Sequence, residues 1–219
     1  MPVYRAILFD LDGVIIDSMP AMRDAFKTAY REVVDATATD ELLEPLFLRY
    51  CQYLGYAFRE IMDALALPHS MYEPFVRHSA KFKDRVRINN GIIPVLQELH
   101  YNGVKLTVAT GKDGYRARDL LNALDIAQYI DIVTGSDEVS HAKPAPDMLL
   151  FQMNTLGIIA AEAIMVGDSH ADIEAGKSAG VTTVGVSWGY GSREALSNAD
   201  LIIDHPSQLL ELIRASTRT

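Results

Sequence analysis

The sequence has little of several features that mark other classes of protein. A single cysteine, Cys51, excludes an internal disulfide and favours a reducing compartment. No apolar run approaches the roughly 20 residues that a membrane-spanning helix needs. The first residues also lack a basic stretch followed by a hydrophobic signal core. We therefore expect a cytoplasmic protein with no membrane partner.

Positive charge is also in deficit, with 20 Lys and Arg against 29 Asp and Glu and a net charge of −9 at pH 7. Most of the surface should repel a phosphate backbone, so we expect no nucleic-acid partner. The 219 residues, 49% of them apolar, suffice for one domain with a sizeable core, or for a domain with a modest insertion. The charge does not decide between a monomer and a homodimer.

The most informative stretch is the first predicted strand with the two carboxylates that follow it. Residues 6–9 form a continuous apolar run, typical of a strand buried on both faces of a parallel sheet. Asp10 and Asp12 are two residues apart, so both side chains project from the same side of an extended backbone. Either one could simply cap the following helix. Two acids this close instead indicate a site where a cation or a shared proton compensates their charge.

A long helical stretch separates the first predicted strand from the second. Helical spacing of apolar residues predicts helices over 21–34, from 39 onward, over 57–67 and over 71–83. The stretch covers roughly 65 to 70 residues, far more than a βα connection needs. We predict that residues 18–87 form a separate helical cap and that 1–17 and 88–219 form the catalytic core. The alternative is that these helices belong to the core of one α/β domain.

Beyond residue 90 the sequence alternates regularly between apolar strands and single helices. Strands are predicted over 104–109, 130–134, 163–166, 181–186 and, more briefly, 201–203. This alternation predicts an α/β fold: a doubly wound parallel sheet, a Rossmann-like core, with an inserted small α-helical cap. The stretch 187–191 follows the fifth of the strands in the core, and we expect it to pack between core and cap.

Polar residues follow the predicted strands at their carboxyl ends, where open α/β sheets bind ligands. They are Thr110, Gly111 and Lys112 after the second strand, Lys143 beyond the third, and Asp168 and Asp172 after the fourth. A hydroxyl with free turn amides can bind an anion, and a lysine can neutralise a phosphate oxygen. A third carboxylate beside the first pair completes the oxygen cluster that Mg²⁺ favours. Asp172 is expected to orient a metal-bound water.

The stretch Phe9-Asp-Leu-Asp-Gly-Val14 and the stretch Val166-Gly-Asp-Ser169 resemble motifs of the haloacid dehalogenase-like hydrolases. Most members of that family are Mg²⁺-dependent phosphatases. The helical insertion is similar to the type-1 cap of phosphoglycolate phosphatases and β-phosphoglucomutases. The resemblance implies that Asp10 is the nucleophile and forms an aspartyl-phosphate. It also implies that Asp12 first protonates the leaving alcohol as a general acid and then activates the hydrolytic water as a general base.

The resemblance assigns the remaining motif residues to phosphate and metal binding. Thr110, Gly111 and Lys143 would hold the phosphoryl oxygens. The metal, Mg²⁺, would lie between Asp10, the backbone carbonyl of Asp12 and Asp168. Asp12 can donate a proton near neutral pH only if its pKa is raised. We expect desolvation under the closed cap and the charge of the nearby Asp10 to raise it.

The sequence thus predicts a phosphatase for a small phosphorylated metabolite: a sugar phosphate, a phosphoglycolate-like acid or a nucleoside phosphate. Arg49, Tyr53 and Lys112 are candidates for reading the leaving group. A phosphomutase of the β-phosphoglucomutase type is the alternative, although Met22 stands where many relatives carry a histidine. A non-enzymatic phospho-Asp switch is a more remote alternative, because a switch needs neither a cap nor the acid Asp12.

Overall fold

The computed structural model describes residues 3–216 and contains one large sheet and one small one. The strands are β1 (Ala6–Phe9), β2 (Ile16–Asp17), β3 (Arg87–Ile88), β4 (Lys105–Thr110), β5 (Ile132–Gly135), β6 (Ala163–Gly167), β7 (Thr182–Val186) and β8 (Leu201–Ile203). The α-helices are α1 (Met19–Val33), α2 (Asp40–Cys51), α3 (Phe58–Ala64), α4 (Tyr72–Lys81), α5 (Ile92–Tyr101), α6 (Gly114–Ala123), α7 (Asp147–Leu156), α8 (His170–Ala179) and α9 (Gln208–Ser216). Within 3–216, no helix has the length and apolarity needed to cross a membrane.

The large sheet is parallel throughout and has the strand order β5-β4-β1-β6-β7-β8. The central strand β1 is fully buried, and Phe9 lies in register with Val108 of β4 and Val166 of β6. The chain builds β4 and β5 on one side of β1 and then crosses to β6 on the other side. The strand order therefore reverses at β1, which puts the ligand crevice of the sheet at the end of this strand.

Helices cover both faces of the sheet, as the alternating pattern predicts. Ile7 and Phe9 join the apolar core under α5, α6 and α9, whereas Ala6 and Leu8 join the core under α7 and α8. This division follows from the period of two in a strand, which sends successive side chains to opposite faces. The prediction of a doubly wound α/β fold is confirmed.

The helices α1 to α4 form a hydrophobic cluster of their own. Its buried members lie between residues 25 and 75 and include several aromatic rings, such as the stacked pair Phe58 and Phe75 with centroids 4.5 Å apart. A unit with its own core is what a separately folded cap requires. The packing supports the division at residues 18 and 87, which stays a prediction.

The two ends of this helical unit meet in a short ribbon that the sequence did not predict. The strands β2 and β3 pair antiparallel, with Ile16 opposite Ile88 and Asp17 opposite Arg87. Two residues per strand are too few to show a period-two pattern, so only the folded chain reveals this pairing. The ribbon joins the segment that leaves the large sheet to the segment that returns to it.

Candidate active site

A buried lysine connects two of the predicted carboxylates. Lys143 has no exposed surface, and its Nζ lies 2.6 Å from Oδ1 of Asp10 and 2.7 Å from Oδ1 of Asp172. The same ammonium group donates to the carbonyl oxygen of Ala109 at 2.8 Å. All three of its donors are thus satisfied. Burial lowers the pKa of Lys143, but Asp10 and Asp172 raise it above its ordinary value, so the lysine keeps its charge.

Asp10 follows β1 directly and is almost completely buried. Burial raises its pKa to about 7, against the opposing effect of Lys143, and the charges of Asp172 and Asp12 add to the increase. Like charges in a desolvated site disfavour joint ionisation. The carboxylate of Asp10 therefore requires nearby positive charge in order to act as a nucleophile at neutral pH.

Asp12 contacts both a hydroxyl and a second lysine. The Ser18 hydroxyl donates to one oxygen, and Lys112 Nζ lies 2.5 Å from the other. The chain turns sharply after Asp12 because Gly13 adopts a φ of +86°. A Cβ at Gly13 would lie 2.1 Å from Oδ2 of Asp168, so glycine also permits the close approach of that carboxylate.

Asp168 completes a cluster of three carboxylates. One oxygen each of Asp10, Asp168 and Asp172 lie within 4.8 Å of one another. The pKa of Asp168 is raised well above its ordinary value, first by burial and then by the charges of Asp10 and Asp172. The backbone amide of Tyr190 donates to Asp168 at 2.5 Å.

This donor set fits Mg²⁺, which prefers carboxylate oxygens and waters. Burial and then the charges of neighbouring carboxylates raise the pKa values of Asp10 and Asp168, and a divalent cation would compensate that negative charge. Asp172 differs, because its Oδ1 binds Lys143 and its Oδ2 accepts from the amide and the hydroxyl of Ser169. Both of its oxygens are engaged by protein, which suits the predicted orienting role better than direct ligation.

The motif after β4 lies beside this cluster. Thr110 is buried, and its hydroxyl accepts from the Lys112 amide at 3.2 Å. Gly111 touches the helical unit so closely that a Cβ there would lie 2.5 Å from the carbonyl oxygen of Tyr56. The loop that carries Gly55 and Tyr56 is therefore closed down on the carboxyl end of β4.

A cavity of about 40 Å³ lies between the sheet and the helical unit. Its lining comprises Asp10, Asp12, Gly111, Lys112 and Arg116 from the α/β part and Met22, Tyr50, Leu54, Gly55, Tyr56, Phe58, Ile61 and Phe75 from the helices and their loops. Lys143 and Thr110 are fully buried behind it, and Asp168 lines a neighbouring cavity on the side of Tyr190.

Of the three residues predicted to read the leaving group, only Lys112 lines the cavity. Arg49 is exposed on α2, and Tyr53 packs against Tyr56 with ring centroids 6.4 Å apart. Neither is part of the lining. The sequence shows helical spacing but not which face of α2 looks towards β1. It therefore grouped Tyr50 with Arg49 and Tyr53 without showing which of them lines the cavity, and it did not single out Arg116.

The stretch 187–191 does more than the packing role predicted for it. The Tyr190 hydroxyl accepts from the amides of Ser18 at 2.6 Å and Met19 at 3.0 Å, and it donates to Asp17 at 2.9 Å. Its backbone amide meanwhile binds Asp168. One residue thus joins the carboxylate cluster to the start of α1. A tyrosine between two glycines after a strand was the available signal.

Fold and site together define a class: an α/β enzyme with acidic residues and a buried lysine at the switch point of the sheet, under a helical insertion. The family model of the haloacid dehalogenase-like hydrolases matches residues 7–186, and the chain belongs to that family.

Similar proteins carry phosphatase names. The chain is 30% identical to the phosphoglycolate phosphatase of Salmonella typhimurium, over 94% of this chain and 91% of that protein. It is 33% identical to "Probable phosphatase IndB" of Dickeya dadantii, over 93% and 91% of the two chains. A solved structure described as a predicted phosphatase from Clostridium acetobutylicum superposes with a TM-score of 0.81 at 25% identity, covering 97% of this chain and 99% of the other. The chain is thus a phosphoric monoester hydrolase, as predicted.

Proposed function

We propose that this protein is a Mg²⁺-dependent phosphatase that hydrolyses a small phosphorylated metabolite through an aspartyl-phosphate on Asp10. One observation carries the proposal: Asp10 and Asp12 line the same cavity, and the buried ammonium group of Lys143 lies 2.6 Å from Asp10. A nucleophile, a proton donor and a fixed positive charge are the groups that phosphoryl transfer needs.

In the first step, an oxygen of Asp10 attacks phosphorus and the bond to the ester oxygen breaks. Asp12 gives its proton to the departing oxygen, so the product leaves as an alcohol. Thr110 and Gly111 bind the phosphoryl oxygens, and the ammonium group of Lys143, next to Asp10, offsets their charge. The positive charge of Lys143 requires no reorganisation, because three buried hydrogen bonds hold it before the substrate arrives.

In the second step, water attacks the phosphorus of the aspartyl-phosphate. Asp12, now ionised, takes a proton from this water, and the bond between phosphorus and Asp10 breaks. Inorganic phosphate leaves and Asp10 returns to its carboxylate form. The same side chain thus serves as acid and then as base.

Asp10, the backbone carbonyl of Asp12 and Asp168 would hold Mg²⁺. When bound, the metal supplies positive charge that lowers the repulsion between a carboxylate and a phosphate dianion. The orienting groups around this site belong to the chain: Asp172 is fixed by Lys143 and Ser169, and Asp168 by the amide of Tyr190.

The substrate is a small phosphate ester. The cavity of about 40 Å³ beside Asp12 leaves room for a leaving group of only a few atoms while the loop at Gly55 is closed. Relatives named phosphoglycolate phosphatase support a phosphoglycolate-like acid, with sugar phosphates and nucleoside phosphates as the other classes. Cys51, which forms no disulfide, supports a cytoplasmic location.

Phosphate release from a panel of phosphorylated metabolites tests the proposal. We expect release that requires Mg²⁺, stops with EDTA and is absent from the Asp10→Asn variant. An isomeric phosphate ester with little free phosphate would instead identify a phosphomutase. Release that persists in Asp10→Asn would contradict the assignment of the nucleophile.

A further inference from the structure

Two polar side chains in the cavity take no part in the mechanism above. Tyr50 on α2 is only 4% exposed, and the side chain of Arg116 on α6 is 12% exposed. Both line the cavity that contains Asp10 and Asp12. Within residues 3–216, neither the Tyr50 hydroxyl nor the Arg116 guanidinium group makes a hydrogen bond.

The surroundings of Arg116 hold its guanidinium group in place without satisfying it. Its flat face lies over the Phe75 ring, with Cζ 5.5 Å from the centroid. Its ion-pair partner is Asp113, whose Oδ2 is 3.6 Å from Nη1, beyond hydrogen-bond distance. Asp113 in turn accepts a hydrogen bond from the Tyr72 hydroxyl at 2.6 Å. Arg116 therefore keeps a fork of free donors in a largely desolvated position.

Within residues 3–216, the Ser79 hydroxyl is the one fully buried side-chain polar atom without a partner, so the Tyr50 hydroxyl and the Arg116 fork still reach water in the cavity, which a ligand can replace. The planar fork of arginine matches carboxylates and phosphates, which accept two parallel hydrogen bonds from it. The Tyr50 hydroxyl is a suitable third donor. Burial raises the pKa of Tyr50 above its ordinary value. The charge of Arg116 opposes this increase and the charge of Asp12 adds to it, so the hydroxyl stays protonated and can donate.

We propose that Arg116 and Tyr50 bind a second anionic group, a carboxylate or a second phosphate, on the leaving group of the substrate. The inference rests on the proposed function, which puts the phosphoryl group at Asp10. The group at Arg116 then belongs to the leaving alcohol.

The dimensions of the site limit the leaving group further. Between the two ends lies the cavity of about 40 Å³, which suits a bridge of a few carbon atoms. Lys112 and Arg116 also line a neighbouring cavity of about 250 Å³, which has room for a bulkier anion. Arg116 lines both cavities, so the test includes one ester with a carboxylate and one with a second phosphate.

Three matched esters test this specificity. They are the phosphate ester of a two-carbon hydroxy acid, a bisphosphate of a short diol, and the monophosphate of ethylene glycol, which has a neutral hydroxyl in place of the anion. We expect wild-type kcat/KM to be about ten- to hundredfold higher for an anionic ester than for the neutral one, as for hydrogen bonds to charged groups. Preference between the two anionic esters identifies carboxylate or phosphate as the natural anion.

Variants assign the preference to the two side chains. Arg116→Met keeps the length of the side chain and should bring the ratio of anionic to neutral kcat/KM close to one. Arg116→Lys keeps the charge without the fork and should give an intermediate ratio, and Tyr50→Phe should lower the ratio about fivefold. Arg118→Met, an exposed neighbour on α6 bound to Glu138, and Tyr30→Phe are controls that should leave the ratio unchanged.

The outcomes separate this inference from the proposed function. If the wild-type protein has the same kcat/KM for the neutral ester as for both anionic esters, the proposed anion site is wrong, but the proposed phosphatase function is unaffected. Equal loss on all three esters in Arg116→Met and Tyr50→Phe would mean a structural role and would also overturn it. If no ester, including a simple aryl phosphate, releases phosphate, the proposed function fails and this inference fails with it.

Discussion

Lys143 determines whether the buried carboxylates can be charged. Its ammonium group is the shared partner of Asp10 and Asp172, which are both almost completely buried. Removing one member of a buried ion network leaves its partners desolvated and unpaired, which costs more than the network itself contributes. Position 143 therefore links the stability of the fold to the ionisation of Asp10, the proposed nucleophile.

Replacing Lys143 with Met should reduce both stability and activity. We expect the free energy of unfolding in EDTA to fall by about 3–5 kcal/mol at pH 7, because Asp10 and Asp172 lose their counter-charge. Urea denaturation measures this. Lys105→Met, which breaks an exposed pair with Asp131, should cost less than about 1 kcal/mol. A similar small loss at position 143 would show that the carboxylates do not depend on the lysine.

In the proposed mechanism, Asp12 protonates the leaving group and then activates water. An aryl ester and an alkyl ester separate these two roles. With Asp12→Asn, an aryl phosphate should release about one equivalent of phenol rapidly and then stall, because a phenolate leaves without a proton. An alkyl ester should lose about a hundred- to ten-thousandfold in kcat without a burst. Stopped-flow absorbance measures the burst, and Asp10→Asn is the control that should show none. An unchanged alkyl kcat would contradict the assignment.

At the scale of elements, one carboxylate connects the last two strands of the large sheet to a helix. Asp200, just before β8, accepts from the amide and the hydroxyl of Thr183 in β7 at 2.8 Å each and pairs with Lys177 of α8. Burial raises the pKa of Asp200, but the hydrogen bonds from Lys177 and Thr183 lower it by more than burial raises it. The pKa therefore lies below its ordinary value of 3.8. The ionised form thus stabilises β8 against its neighbours.

The sign of this shift predicts a pH dependence of stability. A carboxylate with a lowered folded pKa stabilises the fold above pH 3.8, and that contribution disappears as the pH falls through the folded value. Asp200→Asn should therefore lower the unfolding free energy at pH 7, by less than about 1 kcal/mol for so exposed a pair. The difference from wild type should shrink in denaturant titrations as the pH falls below 3.8, and it should disappear once Asp200 is protonated in the folded state. A constant difference across this range would contradict the ionic origin of the effect.

For the whole molecule, the sequence predicted the sheet and the residues at its carboxyl edge, for physical reasons. A buried parallel strand must be apolar on both faces, and β1 shows this in four consecutive residues. Parallel strands also bring their carboxyl ends to one edge, so Asp10, Lys143 and Asp168 could be grouped before any contact was known. Regular, repeated constraints of this kind leave a clear pattern in a sequence.

The leaving-group side of the site leaves no comparable pattern. Tyr50 packs its ring among Phe26 and Phe47 in the cap cluster and also lines the cavity, and spacing alone assigns such a residue to the core. Tyr53, three residues further on, has the same spacing but lies outside the cavity. Which of them faces the substrate depends on how α2 docks on the sheet, a long-range contact that no local pattern records.

The charge of the whole molecule bears on its partners. The chain carries a net charge of −9, whereas the formal charges of the four charged residues that line the cavity, Asp10, Asp12, Lys112 and Arg116, balance one another. A predominantly negative surface repels extended polyanions such as nucleic acids. The absence of a nucleic-acid partner stays a prediction, and the net charge supports it.

The most direct test of the central claim is to trap the phosphorylated protein. Wild-type protein is mixed with Mg²⁺ and a hydrolysed ester, quenched in acid during turnover and analysed by peptide mass spectrometry. We expect a peptide whose mass includes one phosphoryl group on Asp10. The phosphorylated fraction should be higher in Asp12→Asn with an aryl ester, and Asp10→Asn should show no phosphorylation. Turnover without any phosphorylated Asp10, or with the group on another residue, would contradict it.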